Sequence, residues 1–351
     1  MSTNTAAGTD PIATIASGIG LVPRREVVAG PIDAWFPLAP GDRAFVSVGQ
    51  AVVRGAPLAE RLREPRTVVV AGPGAHDPEV PGDRWTPPGT ASSTGPAGEA
   101  GEVPAGELLF RAGGRWRIAA ADSSEPLDSP FPGIVREVRD GIGIRLESPA
   151  KGILGTEVLA GPTSGRLRIA TGPDGELRAS QVDVGASGAI LVAGARIDAE
   201  ALTRARAVGV RGIIVAALGI KERHDFLASE RRGRAGVHGL PPFGILVLDG
   251  ASRRPIASPV MALLQALEGR VVAIVGSPPC LVVDDPELDL PQPRPGLVRV
   301  RSGPLAGAEG TWLGLAGPRR FPAGVTLEAG LVRFGERAPL AVPLGDLERF
   351  A

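Results

Sequence analysis

At Gly188 the hydrophobic pattern of the chain changes period, and that change limits the fold more than any other feature of the sequence. Upstream, apolar residues come in short alternating runs broken by Gly, Pro and Asp. Downstream they come in solid runs separated by segments of helical spacing. Alternation marks strands with one wet side, whereas short solid runs mark strands buried on both faces. "AILVAG" (189–194) and "VRGIIVAAL" (210–218) are such runs. Between them "IDAEALTRARAVG" (197–209) reads as a helix with Asp198 as its N-cap. A strand, a helix and a strand in this order give parallel pairing. "FGILVLDG" (243–250) and "RVVAIVG" (270–276) read as further buried strands, with a helix over "SPVMALLQALEG" (258–269). The expectation is an α/β domain over 183–283, of three-layer type, with a mainly parallel sheet.

The segment 24–71 is a series of short β-like runs with bends at Gly41, Gly49 and Gly55. After it, residues 72–106 hold 15 Gly or Pro in 35 positions. Such a stretch buries too little to offset an ordering cost of about 1–2 kcal/mol per residue, so it reads as a disordered insertion. β-like patterning resumes with a hairpin over 106–120, anchored by Leu109, Trp116 and Ile118, and continues with two strands around Asp140-Gly141. A further hairpin is expected around Pro173-Asp174-Gly175. The expected organisation is a disordered N-terminus (1–23), a β-rich domain (24–71 with 107–182), the insertion (72–106), the α/β domain (183–283), a four-proline linker (284–296) and a small β-barrel (297–351).

Two local motifs carry family resemblances. "LVRVRSGPLAGAEGTWLGL", with Val298, Val300, Gly303, Pro304, Ala306, Gly307, Glu309 and Gly310, resembles the KOW module, an SH3-like barrel of ribosomal proteins and transcription elongation factors. That resemblance covers about 55 residues and implies binding to RNA, a ribosome or another protein. "APGDRAFVSVGQAVVRGAPLAE" and "DSPFPGIVREVRDGIGIRLES" resemble the two halves of the biotinyl/lipoyl-like barrel-sandwich hybrid. In cofactor carriers of that family a lysine sits on the hairpin joining the halves. Here the corresponding "REPRTVVV" has none, and Lys151 falls after the second half. The resemblance therefore points to a non-modified docking barrel carrying no biotin or lipoate.

Charge and motif content narrow the function classes. Lys+Arg and Asp+Glu are each 38, so no global field favours nucleic acid or membrane. From 294 to 351 eight Arg face five acidic residues, a surplus of three, and independent nucleic-acid binding is expected to be weak or absent. One cysteine, Cys280, excludes an intrachain disulfide framework and fits a reducing, cytoplasmic setting. No apolar run is long enough to span a bilayer. Nucleotide-binding loops, a nucleophile elbow and a zinc-protease histidine pair are missing, and His224 beside Asp225 is a poor base on a helix. No catalytic residue, cofactor or metal ligand is assigned. The one ligand-like cluster is the set of anion-binding candidates Arg223, His224, Arg231, Arg232, Arg234 and His238 beside Lys221. The favoured reading is a non-enzymatic docking or scaffold protein associated with ribosome or transcription machinery. The alternative is an α/β domain or enzyme for an anionic small molecule, with accessory β-barrels.

Overall fold

The computed structural model describes residues 20–22, 24–25, 28–29, 31–63, 67–69, 108–112, 115–119, 123–234, 242–285 and 294–350. The expected insertion at 72–106 lies outside the described residues, as do most of the expected disordered N-terminus and of the linker. Among the described residues strand predominates, with three helices of nine residues or more.

The centre is a nine-stranded sheet. Its order is Glu157–Ala160, Gly244–Val247, Gly212–Val215, Ala189–Val192, Thr163–Ile169, Val271–Gly276, Pro279–Val283, Lys151–Leu154 and Val28–Ala29. Ala189–Val192, the Ala199–Val208 helix and Gly212–Val215 form the expected parallel unit. The Asp198 carboxylate accepts from the Glu200 amide at 3.1 Å, and Gly209, in the left-handed region, ends the helix.

The sheet is mixed rather than mainly parallel. Three of its eight pairings are parallel and five antiparallel. One of the antiparallel pairings follows from a tight connection: Val271–Gly276 turns back through Ser277-Pro278 into Pro279–Val283, too short a link for a crossover. The sheet also takes four strands from before residue 183, where the change of period places its start. Alternation records a wet face but not sheet membership, so these strands read like their upstream neighbours. For the same reason the hairpin expected at Pro173-Asp174-Gly175 does not form. Thr163–Ile169 pairs parallel with Ala189–Val192, and Glu176–Leu177 pairs with Arg196–Ile197.

Both faces of the sheet are covered, which explains its solid apolar runs. Ile190, Val192, Ile214, Leu246, Ile274 and Leu281 face the Ser258–Ala266 helix. Leu191, Ile213, Val215, Ile245 and Val247 face the Ala199–Val208 and Ile220–Arg234 helices. On that second side the antiparallel half presents Ala273, Val275, Cys280 and Val282 to the N-terminal sheets, packing them with Ile32, Phe36, Leu58 and Ile144. Each fully buried Leu, Ile or Phe contributes about 1.5–3 kcal/mol, so the shared core holds the units together strongly.

The N-terminal region forms a four-stranded sheet (Ile32–Pro37, Gly143–Ser148, Gly133–Arg139, Ala51–Val52) and a three-stranded one (Ser123–Asp128, Pro57–Arg63, Arg43–Ala44). The C-terminal six-stranded sheet runs Arg24–Arg25, Leu347–Phe350, Leu297–Val300, Glu309–Arg320, Thr326–Arg333 and Leu340–Pro343. Each is open in its pairing, with two edge strands, where closed barrels are expected. The start of the chain runs through all three regions. Val22 is buried in the C-terminal core, Arg24–Arg25 pairs parallel with the last strand, and Val28–Ala29 pairs with Lys151–Leu154. Val22 thus packs into a core although it falls in the segment expected to be disordered, while Gly20 and Leu21 beside it are exposed.

Trp312 is the largest fully buried side chain, and its ring lies where a Cβ on Gly330 would be. Gly330→Ala overpacks this core and is expected to cost about 1–3 kcal/mol in chemical denaturation.

Candidate functional site

In sheets with parallel strands, ligands bind beyond the carboxyl ends of those strands. Here that end is packed by the chain itself. Residues 171–175 cross over Gly194, where a Cβ would overlap the Gly172 carbonyl and the Thr171 hydroxyl. Ala195 N–H donates to the Gly175 carbonyl, and Ile256 N–H to the Pro173 carbonyl, each closing the layer. Asp249 lies two residues beyond the Gly244–Val247 strand, its N–H donating to the Ala216 carbonyl at 2.7 Å.

Over Asp249 sits the C-terminal sheet. Val298 and Val300 point into that sheet's own core, so alternation sends Arg299 outward, against the central sheet. Arg299 is 1% exposed and Asp249 2%. One guanidinium nitrogen lies 3.0 Å from the Asp249 carboxylate and 3.6 Å from that of Glu348, and another donates to the Pro255 carbonyl at 2.6 Å. Arg254 donates to the Arg301 carbonyl at 2.9 Å. The Ser258–Ala266 helix starts after Ala257, which has no capping side chain. Its Ser258 N–H donates instead to the Glu309 carboxylate at 2.7 Å, a favourable place for an anion.

The KOW-like residues divide accordingly. Val300 is core, and Gly310 is held tightly by Val332 and the Arg333 carbonyl. Gly307, at φ +88°, lets the turn close on Arg254 and Pro255, and Glu309 caps the neighbouring helix. Gly303 and Pro304 are exposed.

Of the anion-binding candidates, Arg223 lies 3.0 Å from the Glu157 carboxylate. His224 is exposed on its helix, as is Asp225. The side chains of Arg231, Arg232 and Arg234, and His238, lie outside the described residues. Nearby, Gly219 leaves room for the Glu222 carboxylate to fold back over the helix start. The hydrogen bond from its own backbone N–H is the main cause holding Glu222 below the usual carboxylate range; burial opposes it and Arg196, at 3.0 Å, adds to it. Arg206 pairs with Glu230 at 2.5 Å and lies over the Phe226 and Phe243 rings at 5.7 and 5.8 Å. The described guanidiniums here are therefore matched by neighbouring carboxylates.

Cys280 faces the N-terminal core, and burial pushes its thiol up to about 12, which keeps it protonated across the neutral range. Among the described residues no group of three His, Cys, Asp or Glu gathers into a metal site, and no helix is long and apolar enough to cross a membrane. Compared with known proteins, the sequence matches no protein-family model and no curated protein.

Sequence reasoning misses Arg299, Asp249 and Arg254, because each acts across about 50 residues of sequence. One signal was available: an arginine between two core valines must find something polar on the outer side. Arg299→Ala removes the buried cation from between the Asp249 and Glu348 carboxylates and is expected to cost about 3–5 kcal/mol in chemical denaturation. Arg299→Met with Asp249→Leu removes charge on both sides and is expected to cost less.

Proposed function

We propose that the chain is a non-enzymatic docking protein that presents a KOW-like, SH3-like C-terminal module to a larger partner, a ribosomal or transcription assembly. The strand order supports the SH3-like reading. Four consecutive strands from Leu297–Val300 to Leu340–Pro343 lie side by side, and the last strand returns, after a short helical turn at Leu344–Asp346, to pair beside the first. The N-terminal half-motifs also lie together, in keeping with a barrel-sandwich hybrid: Ala51–Val52 pairs with Gly133 and Ile134, and Gly55 N–H donates to the Ser129 carbonyl. Lys151 sits in a strand of the central sheet rather than on a carrier hairpin.

The observation that carries this reading is the two-sidedness of the C-terminal sheet. Arg299, Gly307 and Glu309 engage the central region. On the other side the long hairpin of Glu309–Arg320 and Thr326–Arg333 extends past its neighbouring strands. Two bulges, before Gly314 and before Gly317, twist it. Leu315, Val325 and Leu327 are exposed along it, and Arg319 and Arg320 are exposed near its tip. Side chains of this mixed kind, on a hairpin held from behind by a rigid core, suit docking into a partner.

The test is affinity purification under mild lysis with quantified recovery. The wild-type chain is expected to bring down a stable partner, and Arg319→Glu/Arg320→Glu to lose at least about tenfold of it with an unchanged melting temperature. Recovery of the wild-type chain with no partner contradicts the proposal. Retention on immobilised RNA alone that falls steeply with salt assigns the hairpin to nucleic acid instead.

A further inference from the structure

Across the N-terminal and central regions many arginines are neutralised by a carboxylate, as Arg54, Arg136, Arg168, Arg196, Arg223 and Arg270 are. The hairpin of Glu309–Arg320 and Thr326–Arg333 differs. Arg319, Arg320 and Arg333 are exposed on it and Arg337 on the turn after it, and among the described residues none of the four meets a carboxylate.

Strand alternation sorts the side chains of this hairpin. Val332 and Gly330 face Trp312 in the core, and Glu328 follows their phase. Arg333, Leu331 and Leu327 therefore lie on the other face, with Ala329 buried between the two leucines. Arg319 is directly opposite Leu327 and shares that face. It reads cation, aliphatic, aliphatic, cation, and the one acidic residue of the Thr326–Arg333 strand points the other way. Six residues of strand put its two charged ends about 20 Å apart.

Several occupants fit such a face poorly. A second copy laid on it about a two-fold axis sets arginine against arginine. The stretch 286–293 is too short. Its flanks are held at the central core by Val283 and Leu297, and the nine steps from Asp285 to Arg294 extend to about 32 Å at most. Running out to Arg319 from the level of Thr311, the partner of Leu297, and returning takes about 40 Å. The stretch 72–106 is acidic but has no Leu, Ile, Met or Phe to set against Leu327 and Leu331. A nucleic-acid backbone brings phosphates without aliphatic chains, and among the described residues the hairpin exposes no aromatic ring for a base to stack on. Guanidiniums flanking leucines are complementary to carboxylates flanking aliphatic side chains, and each pairs with a carboxylate through two parallel hydrogen bonds.

We propose, resting on the docking function above, that the hairpin binds an acidic, leucine-containing segment of a partner protein in extended form. The segment carries Asp or Glu at its first and seventh positions and aliphatic residues at its third and fifth. Alternation puts those four side chains on one side, where the carboxylates meet Arg333 and Arg319 and the aliphatic pair meets Leu331 and Leu327.

Fluorescence anisotropy with the full chain and a labelled Glu-Ser-Leu-Ser-Leu-Ser-Glu peptide at low salt tests this. Saturable binding is expected, at least about tenfold weaker for Arg319→Glu and for Arg333→Glu at unchanged melting temperature, with either folded variant sufficient. Replacing both leucines of the peptide by serine is expected to weaken binding at least about tenfold, and a peptide with Lys in place of both Glu to bind the Arg319→Glu/Arg333→Glu variant. No saturable binding, equal binding of the serine peptide, binding unchanged in a folded charge-reversed variant, or tighter binding of a single-stranded RNA oligonucleotide overturns the proposal. So does peptide binding that tightens tenfold when the acidic residues of 72–106 are neutralised, since that assigns the face to that stretch. A partner recovered by affinity purification while the peptide fails to bind shows that only the recognition chemistry is wrong; no partner at all shows that the docking function is.

Discussion

Arg299 is a fully buried cation on the outside of one sheet, and the arrangement of the C-terminal half depends on where it finds its counter-charge. Removing a guanidinium and two carboxylates from water costs several kcal/mol per ion, which their mutual attraction returns only in good geometry. The three groups meet within 3.6 Å, with the Pro255 carbonyl taking a further donor. A docking that parted Arg299 from Asp249 would give up this buried pairing. The network therefore selects one orientation, while the apolar contacts of Leu297 and Phe350 with the central core supply the attraction. It also fixes a functional consequence. The end of the parallel strands where a small molecule would lie is the place where the chain binds itself.

The central sheet makes a comparable demand. Three of its strands are buried at every residue and a fourth at all but Pro279, so each face needs a cover. Helices supply it where crossovers are parallel, and the N-terminal sheets supply it where tight turns make the pairing antiparallel. The threading of the first described residues through all three regions adds backbone pairing to that shared core.

What the sequence made legible follows from the range of the forces involved. The Ala199–Val208 helix was readable because its cap, its apolar spacing and its terminal glycine are all local. The buried strands were readable because two-faced burial removes polar residues from the chain itself. The parallel share of the sheet was not, since the Ser277-Pro278 turn that reverses the chain resembles a loop after a finished strand. Thr163–Ile169 shows the same limit: its pattern marks a strand, but its partners are set by packing more than 20 residues away. At the candidate site Glu309 and Gly307 stood out within the KOW-like motif, yet their contacts with Ser258 and Pro255 belong to the tertiary structure. Arg223 stood out as a cation in an arginine-rich stretch, and its partner Glu157 lies in a strand far upstream.

Native-state hydrogen exchange of the full chain tests the central claim most directly. If Arg299 locks the C-terminal sheet onto the carboxyl ends of the parallel strands, amides of Leu297–Val300 and Gly244–Val247 share one large opening, and Arg299→Met speeds exchange in both. Rapid exchange of Leu297–Val300 while Gly244–Val247 stays protected, unaltered by that substitution, would show two independent bodies and contradict the account.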